Sequence, residues 1–252
     1  MKIIVCIKQI LDPRGLTVNR KAEKVFVNRE EYVLDPASKA ALEVAEQIKA
    51  KEAAVEISAL SVGPERVDEA LREALARGAD RAIGIRSDSN PDPTVIANLL
   101  AAAINRLGSI DLVLCGDRSL DTGSGEIAAR LAEALDWPQV LRAAKAEVKG
   151  TALAAIVQDS GFVAVEAPLP AVVSISAEAF SGRHPNGWRL MDAYKKWQVE
   201  TWPSEDLALS EDDLRMTVTK KEDAFPPERQ PGTKVHNAKE LVALLKQEKI
   251  LA

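Results

Sequence analysis

The sequence is poor in the side chains that most often build reactive, metal-binding or cross-linked sites. Its 252 residues include two cysteines and two histidines, and aromatic residues make up 4% of the total. Cys6 and Cys115 lie in apolar runs of strand length, which favours buried free thiols in a reducing cytoplasm over a disulfide. His184 and His236 lie in loop-like sequence, so we expect no zinc site and no Cys–His nucleophile pair. We therefore predict no catalytic residues, no metal site and a mainly aliphatic core.

Long apolar runs and clusters of basic residues are also missing. No stretch approaches the roughly 20 apolar residues that a membrane span requires, and the first residues lack the cleavage site of a signal peptide. The formal net charge is −5, and no run of lysines or arginines reverses it locally. Such a charge makes nucleic acid a poor candidate partner. We predict a soluble cytoplasmic chain that neither enters a membrane nor binds nucleic acid.

Apolar runs of strand length alternate with segments of helical period through the first half of the chain. This alternation is typical of an α/β fold, in which a mainly parallel sheet carries helices on both faces. Beyond Pro138, four shorter strand candidates are expected to extend the sheet, some of them antiparallel. Between 177 and 227 the apolar period fades, and a final helix begins after Asn237. We divide the chain into a domain over 1–200 and a C-terminal arm over 201–252.

Ligands of open parallel sheets bind where strands end and helices begin, because backbone amides there point at an anion. Four such junctions fall at 6–9, 34–38, 61–64 and 116–129. The last is the richest in glycines, which allow close backbone approach, and in hydroxyl groups, which can donate hydrogen bonds. It is neither a Walker loop nor a GxGxxG motif. From the residues alone, a plain helix-entry turn and a nucleotide site both remain open.

Several segments, taken in order, resemble the beta subunit of electron-transfer flavoproteins, and the likeness runs from residue 1 to nearly residue 250. The resembling segments are 5–8, 35–36, 61–64, 74–81, 111–116, 135–139, 169–173, 226–229 and 232–235. The resemblance implies a Rossmann-like sheet similar to that of adenine-nucleotide hydrolases. It also implies that the C-terminal arm, which ends in a helix, wraps an alpha subunit.

In that family the beta subunit holds an adenine nucleotide, usually AMP and in electron-bifurcating members a second FAD, while the alpha subunit carries the electron-transferring FAD. The resemblance places these residues around the nucleotide: Cys6, Asp35, Ser38, Val62, Asp121, Thr122, Gly123, Ser124, Gly125, Glu126, Ile127, Ala128 and Ala129. It implies a non-enzymatic subunit of a heterodimer that relays electrons from a flavin dehydrogenase to an acceptor such as a quinone oxidoreductase.

The chain departs from the family at three of these positions. The family usually has Asn at the position of Asp35, and often Gln and Gly at those of Glu126 and Ala128. An acidic side chain near a phosphate is unfavourable by ~1 kcal/mol or more if it is unpaired. AMP, FAD and no nucleotide therefore remain alternatives.

A second departure lies in the segment that helps to dock dehydrogenases. The family has an Asn-x-Pro-Arg-Tyr segment followed by Leu-Pro, whereas this chain has a different amino-acid sequence over 181–188. By resemblance, the docking residues are Arg183, His184, Trp188, Leu190 and Met191. Simple packing remains an equal alternative for Trp188, because exposed aromatic residues often anchor interfaces but also pack locally.

Two other functions remain open. One is a stand-alone adenine-nucleotide-binding protein or hydrolase of the same sheet topology, of the pyrophosphatase-like or universal-stress-like type. That reading needs an early Ser-Gly-Gly loop or a terminal glycine-serine pattern, whereas the first strand here runs into Lys8, Gln9 and Ile10. The other is an electron-bifurcating subunit that binds its own FAD.

Overall fold

The computed structural model describes residues 1–87, 91–158, 160–180, 182–219, 221, 224–228 and 232–251. Its strands are β1 Lys2–Cys6, β2 Gln9–Leu11, β3 Leu16–Asn19, β4 Lys24–Val27, β5 Tyr32–Leu34, β6 Glu56–Gly63, β7 Arg81–Arg86, β8 Leu112–Gly116, β9 Gln139–Lys149, β10 Ala152–Gln158, β11 Phe162–Pro168, β12 Ala171–Ile175 and β13 Glu200–Pro203. Its α-helices are α1 Pro36–Lys51, α2 Val67–Arg77, α3 Pro93–Leu107, α4 Ile127–Leu135, α5 Gly187–Lys195 and α6 Ala238–Gln247. Among these helices, none is long and apolar enough to cross a membrane.

Contacts divide the chain into two units, 1–17 with 25–219 and 18–24 with the residues from 220 onward. The first unit contains a sheet in the order β11-β10-β9-β12-β8-β1-β6-β7-β13. The strands from β9 through β12, β8, β1, β6 and β7 to β13 run parallel, whereas β10 and β11 are antiparallel additions at one edge. The predicted α/β sheet with an antiparallel extension is therefore confirmed.

The central strands are apolar on both faces because helices cover both sides of the sheet. Ile3 and Val5 of β1 face the core formed with α1 and α2, whereas Ile4 and Cys6 face the core formed with α3 and α4. Alternate residues of one strand point to opposite faces, so a strand between two helical layers must be apolar throughout. This requirement explains why the strands were recognisable as continuous apolar runs.

The helix that follows β8 begins later than the sequence pattern predicts. The pattern places its start at Gly123, but α4 begins at Ile127. Gly123 and Gly125 have φ angles of 65° and 69°, in the left-handed region that a right-handed helix excludes. The preceding residues consequently form a loop at the carboxyl edge of the sheet.

Residues 177–219 contribute more to the first unit than their weak apolar period indicates. α5 packs on α2 through Ala193, which is fully buried, and β13 pairs with β7 at the edge of the sheet. The predicted arm, 201–252, thus begins inside the first unit, and its role in wrapping a partner stays a prediction. Two residues singled out from the sequence, Ser181 and Arg229, lie outside the described residues.

A buried carboxylate helps to fasten the segment after β13 to the start of α3, together with the bond from Asn98 to the Asp213 carbonyl. Asp92 caps α3 by accepting from the amides of Thr94 and Val95, both at 3.0 Å. Its second oxygen accepts from the amide of Thr217 at 2.6 Å, from the Thr217 hydroxyl at 3.0 Å and from the Val218 amide at 2.9 Å. Burial acts to raise the pKa of Asp92, but these hydrogen bonds lower it to about 2.

In the second unit, α6 is amphipathic and has no buried residue. The Asn237 side chain accepts from the amide of Glu240, and the Glu240 side chain accepts from the amide of His236. The helix and its N-cap predicted from the sequence are confirmed. Leu241 and Val242 are more than two-fifths exposed.

Replacing Asp92 by asparagine should lower the free energy of unfolding at pH 7 by about 2 kcal/mol, because the folded carboxylate has a depressed pKa. Because the pKa of Asp92 is lower in the folded state, the ionised side chain stabilises the fold at pH values above the unfolded pKa of 3.8. This stabilisation is lost as the pH falls through the folded pKa of about 2. The difference between the two proteins should therefore shrink below pH 4 in urea titrations. Asp212→Asn, at a side chain that is 88% exposed, is the control and should change little. A pH-independent difference for Asp92→Asn would contradict this account.

Replacing Gly116 by alanine should destabilise the first unit by about 1–3 kcal/mol, as overpacking of a close contact does. A Cβ at Gly116 would lie 2.5 Å from the Ala37 Cβ and 2.9 Å from the Ala37 carbonyl carbon. Gly161→Ala is a matched control, since a Cβ there meets no atom within 4 Å. Urea unfolding should give a lower midpoint for Gly116→Ala alone, and equal midpoints for both variants would refute the contact.

Candidate functional site

The chain reverses its direction of strand addition at the carboxyl edge of the sheet, and we call the region around the ends of β1 and β8 there the crevice. From β1 the chain adds β6 and β7 on one side, then returns through α3 to place β8 on the other side of β1. Open α/β sheets bind ligands at such a switch point. The ends of β1 and β8 meet here, and the absence of a side chain on Gly116 lets β8 approach Ala37 of α1.

Asp35 joins the two walls of the crevice. This residue is 1% exposed, and its side chain caps α1 by accepting from the amides of Ala37 at 2.9 Å and Ser38 at 3.4 Å. Its other oxygen accepts from the amide of Leu120, in the loop after β8, at 2.8 Å. Burial raises the pKa of Asp35, although these amides act to lower it. The carboxylate therefore holds the loop against the first turn of α1.

Lys8 makes the second connection across the crevice. Its backbone amide donates to the Ser38 hydroxyl at 3.0 Å, and its carbonyl accepts from the Asp35 amide at 3.0 Å. The ammonium group reaches the loop after β8, where it donates to Asp121 at 2.7 Å and to Ser119 at 3.1 Å. Partial burial acts to raise the pKa of Asp121, but the hydrogen bonds from Lys8 and Ser119 lower it below its usual value.

The helix that follows this loop starts without a side-chain cap. Glu126 precedes α4 and caps none of its amides, but forms an ion pair with Arg130 at 2.7 Å. The start of α2 likewise has no side-chain cap, whereas side chains cap α1, α3, α5 and α6. The first amides of an α-helix lack intrahelical acceptors and attract anions. The start of α4, beside the hydroxyls of Thr122 and Ser124, is thus chemically suited to a phosphate.

The structure brings most of the predicted nucleotide residues to this crevice. Cys6 ends β1 and is 9% exposed, and Ser38 and Asp35 lie at the start of α1. Residues 121–126 form the loop, and 127–129 form the first turn of α4, with Ala128 turned into the core. Val62 is half-buried near the end of β6, on the other side of β1.

The thiols of Cys6 and Cys115 also meet beneath the crevice. A hydrogen bond with Cys6 and complete burial hold the pKa of the Cys115 thiol well above its usual value. Both thiols are free, as the sequence predicts.

The sequence reading missed the side chain of Lys8 and the amide of Leu120. Lys8 lies in the first of the four strand-to-helix junctions predicted from the sequence, which was a signal for the site. The contact itself was not predictable from local sequence, because Asp121 is 113 residues away. The sequence analysis counted two acidic side chains, Asp35 and Glu126, against a bound phosphate if they were unpaired, and both have partners in the structure. Asp35 accepts from three amides, and Glu126 pairs with Arg130.

The predicted docking residues lie in and before α5. Trp188 is 76% exposed and Met191 is 47% exposed, and they are one helical turn apart. Leu190 is 37% exposed on the same helix. α5 is held in place by Arg72, which donates to the carbonyls of Ala193 at 2.7 Å and Trp197 at 3.0 Å.

The residues before α5 are fastened to α1. The Arg183 guanidinium donates to both carboxylate oxygens of Glu43 at 3.0 Å. The backbone carbonyl of Arg183 accepts a hydrogen bond from the Arg77 guanidinium. This pair lowers the pKa of Glu43, although burial opposes the shift. His184 lines a cavity of about 270 Å³ between α1, the end of α2 and 183–189.

Comparison with known proteins gives the family. Residues 24–207 match the electron transfer flavoprotein domain. The electron transfer flavoprotein subunit beta of Bacillus subtilis is 32% identical over 257 residues, which cover 98% of each chain. The subunit beta of Thermoanaerobacterium thermosaccharolyticum is 30% identical over 219 residues, covering 85% of this chain and 83% of that protein. The caffeyl-CoA reductase-Etf complex subunit CarD of Acetobacterium woodii is 28% identical over the full length of both.

The matches extend over most of the chain and include both the crevice loop and α5. They agree with the resemblance that the ordered sequence segments carry. The chain belongs to the electron transfer flavoprotein family, as a beta subunit that serves in electron transfer.

Proposed function

We propose that this chain is the nucleotide-binding, non-catalytic subunit of a heterodimer. Its partner is an alpha subunit that carries the electron-transferring FAD. The complex relays electrons from a flavin dehydrogenase to a downstream acceptor such as a quinone oxidoreductase. The chain acts in the cytoplasm, where it binds AMP in a structural role and orients the partner.

The observation that supports AMP most directly is the donor set of the crevice. Three groups at the loop after β8 could bind an adenylate phosphate. They are the uncapped first turn of α4, the hydroxyls of Ser119 and Thr122, and the ammonium group of Lys8, which reaches those hydroxyls. Hydrogen-bond donors and a cation are the groups that bind phosphate in proteins. When bound, the nucleotide would tie the loop after β8 to β1, so its contribution is structural.

Two surfaces support a role in assembly. α6 has no buried residue, although its sequence is amphipathic, as expected of a helix that packs on a partner. α5 presents Trp188, Leu190 and Met191, which fits a docking site for the dehydrogenase because exposed aromatic and Met side chains anchor interfaces.

A second candidate is that FAD replaces AMP in the crevice. This candidate follows from the resemblance to the family, in whose electron-bifurcating members the beta subunit holds a second FAD, and the chain is similar over its full length to CarD, a subunit of a caffeyl-CoA reductase-Etf complex. The two candidates differ in the number of flavins that the heterodimer holds.

The nucleotide is tested by producing the chain together with its alpha subunit and extracting the purified heterodimer with acid. Chromatography should yield AMP in equal amount to the chain, together with FAD in equal amount to the alpha subunit. Two FAD per heterodimer and no AMP would support the second candidate. A complex without any nucleotide beyond one FAD would refute nucleotide binding by this chain.

Replacing Trp188 by alanine should weaken docking of the dehydrogenase without affecting folding. Truncation of an interface anchor costs about 1–3 kcal/mol, so KM for the flavoprotein in the dehydrogenase reaction should rise roughly 5- to 150-fold. Phe162→Ala is the control, since Phe162 is 72% exposed but lies on the edge strand β11. Equal KM values for both variants and the unmodified protein would exclude α5 as the docking surface.

A further inference from the structure

Lys8 is fixed by the same residues that build the crevice. Its amide and carbonyl bond to Ser38 and Asp35 at the start of α1. The backbone therefore cannot move independently of α1, and only the side chain can change partners. Its ammonium group is held by Asp121 at 2.7 Å and by the hydroxyl oxygens of Ser119 at 3.1 Å and Thr122 at 3.5 Å.

Lys8 is the cation that hydrogen bonds hold at the loop, and Arg118 and Arg130 are the other cations beside it. Arg130 of α4 donates to Glu126, the residue before that helix, whereas the Lys8 ammonium group also reaches two hydroxyl groups of the loop. Arg118 is exposed, and its stem lies against Gly125, since a Cβ on that glycine would lie 3.0 Å from the Arg118 Cγ. Only the Lys8 head joins the β1 end to the loop by hydrogen bonds among the described residues. A phosphate brought to this loop adds negative charge beside Asp121, so it needs that cation.

Asp121 is the anion that competes for this cation. The side chains of Lys8 and Asp121 are 43% and 37% exposed, so both heads can reorient into water when a new partner arrives. An exposed ion pair of this kind is worth little by itself. A dianionic phosphate that also reaches the first turn of α4 offers the ammonium group a stronger partner.

We propose that Lys8 is the phosphate-binding cation of the crevice and that Asp121 competes with the phosphate for its ammonium group. This inference rests on the proposed nucleotide binding. Asp121 thereby sets the affinity for the nucleotide, because every phosphate that binds must first displace a carboxylate of the chain. The base and ribose do not depend on this exchange, so the effect is specific to the phosphate.

The test compares AMP with adenosine by calorimetry, using the full chain in complex with its alpha subunit after removal of bound nucleotide by anion exchange. Lys8→Met should weaken AMP binding roughly 10- to 100-fold, the effect of losing a charged hydrogen bond, and should leave adenosine binding unchanged. Lys8→Arg should restore most of the AMP affinity. Asp121→Asn should instead tighten AMP binding about 2- to 5-fold, and should have no such effect in the Lys8→Met background. Arg118→Met is the matched control cation and should change AMP binding by less than about 2-fold.

The outcomes separate this inference from the proposed function. If the unmodified complex binds neither AMP nor adenosine, the proposed nucleotide binding fails. If it binds AMP, but Lys8→Met weakens AMP and adenosine equally, Lys8 has only a structural role and the inference is overturned. It is also overturned if Asp121→Asn weakens AMP binding. Should Lys8→Met fail to form the complex, Lys8→Arg and Asp121→Asn still decide, because the sign of the Asp121 effect is opposite in the two accounts.

Discussion

The buried carboxylate of Asp35 is the interaction on which the candidate site depends. It accepts from amides of α1 and from the Leu120 amide, 85 residues further along the chain. A buried carboxylate is costly unless hydrogen bonds satisfy it, and here backbone dipoles satisfy both oxygens. The loop after β8 can therefore keep its position only while the start of α1 keeps its own. Lys8 reinforces this coupling from the neighbouring strand, because its backbone is tied to α1 and its side chain to the loop.

This coupling shows how hydrogen bonds between distant segments fix the geometry of the candidate site. The surfaces that we propose to contact a ligand or a partner are the crevice at the carboxyl edge of the sheet, α5, which packs on α2, and the exposed face of α6. Asp92 adds a similar fastening for the chain after β13, by binding both the start of α3 and Thr217 with one side chain. In each case a carboxylate that caps a helix also accepts from a distant segment. Helix capping and tertiary positioning are thus carried by the same side chains.

Much of the fold was predictable because it depends on patterns that are local in sequence. The apolar run of β1, the Asp35–Pro36 start of α1 and the Asn237 cap of α6 each follow from a few adjacent residues. The start of α4 was predicted four residues early, because a helical apolar period does not reveal that two glycines adopt left-handed backbone angles. β13 was not predicted, since an edge strand buries few side chains and needs little apolar pattern.

The hydrophobic period, the turn residues and the ordered motifs were enough to identify the class of sheet, the strand-to-helix junctions of the candidate site and the family. Only the tertiary structure decided which charges meet. In the structure, Lys8 pairs with Asp121 and Glu126 pairs with Arg130. Asp35, whose charge had counted against a nearby phosphate, accepts a hydrogen bond from the Leu120 amide and holds the loop in place. The energy of a charged side chain depends on the groups within a few ångströms of it, and in the folded chain those groups come from residues that are distant in sequence.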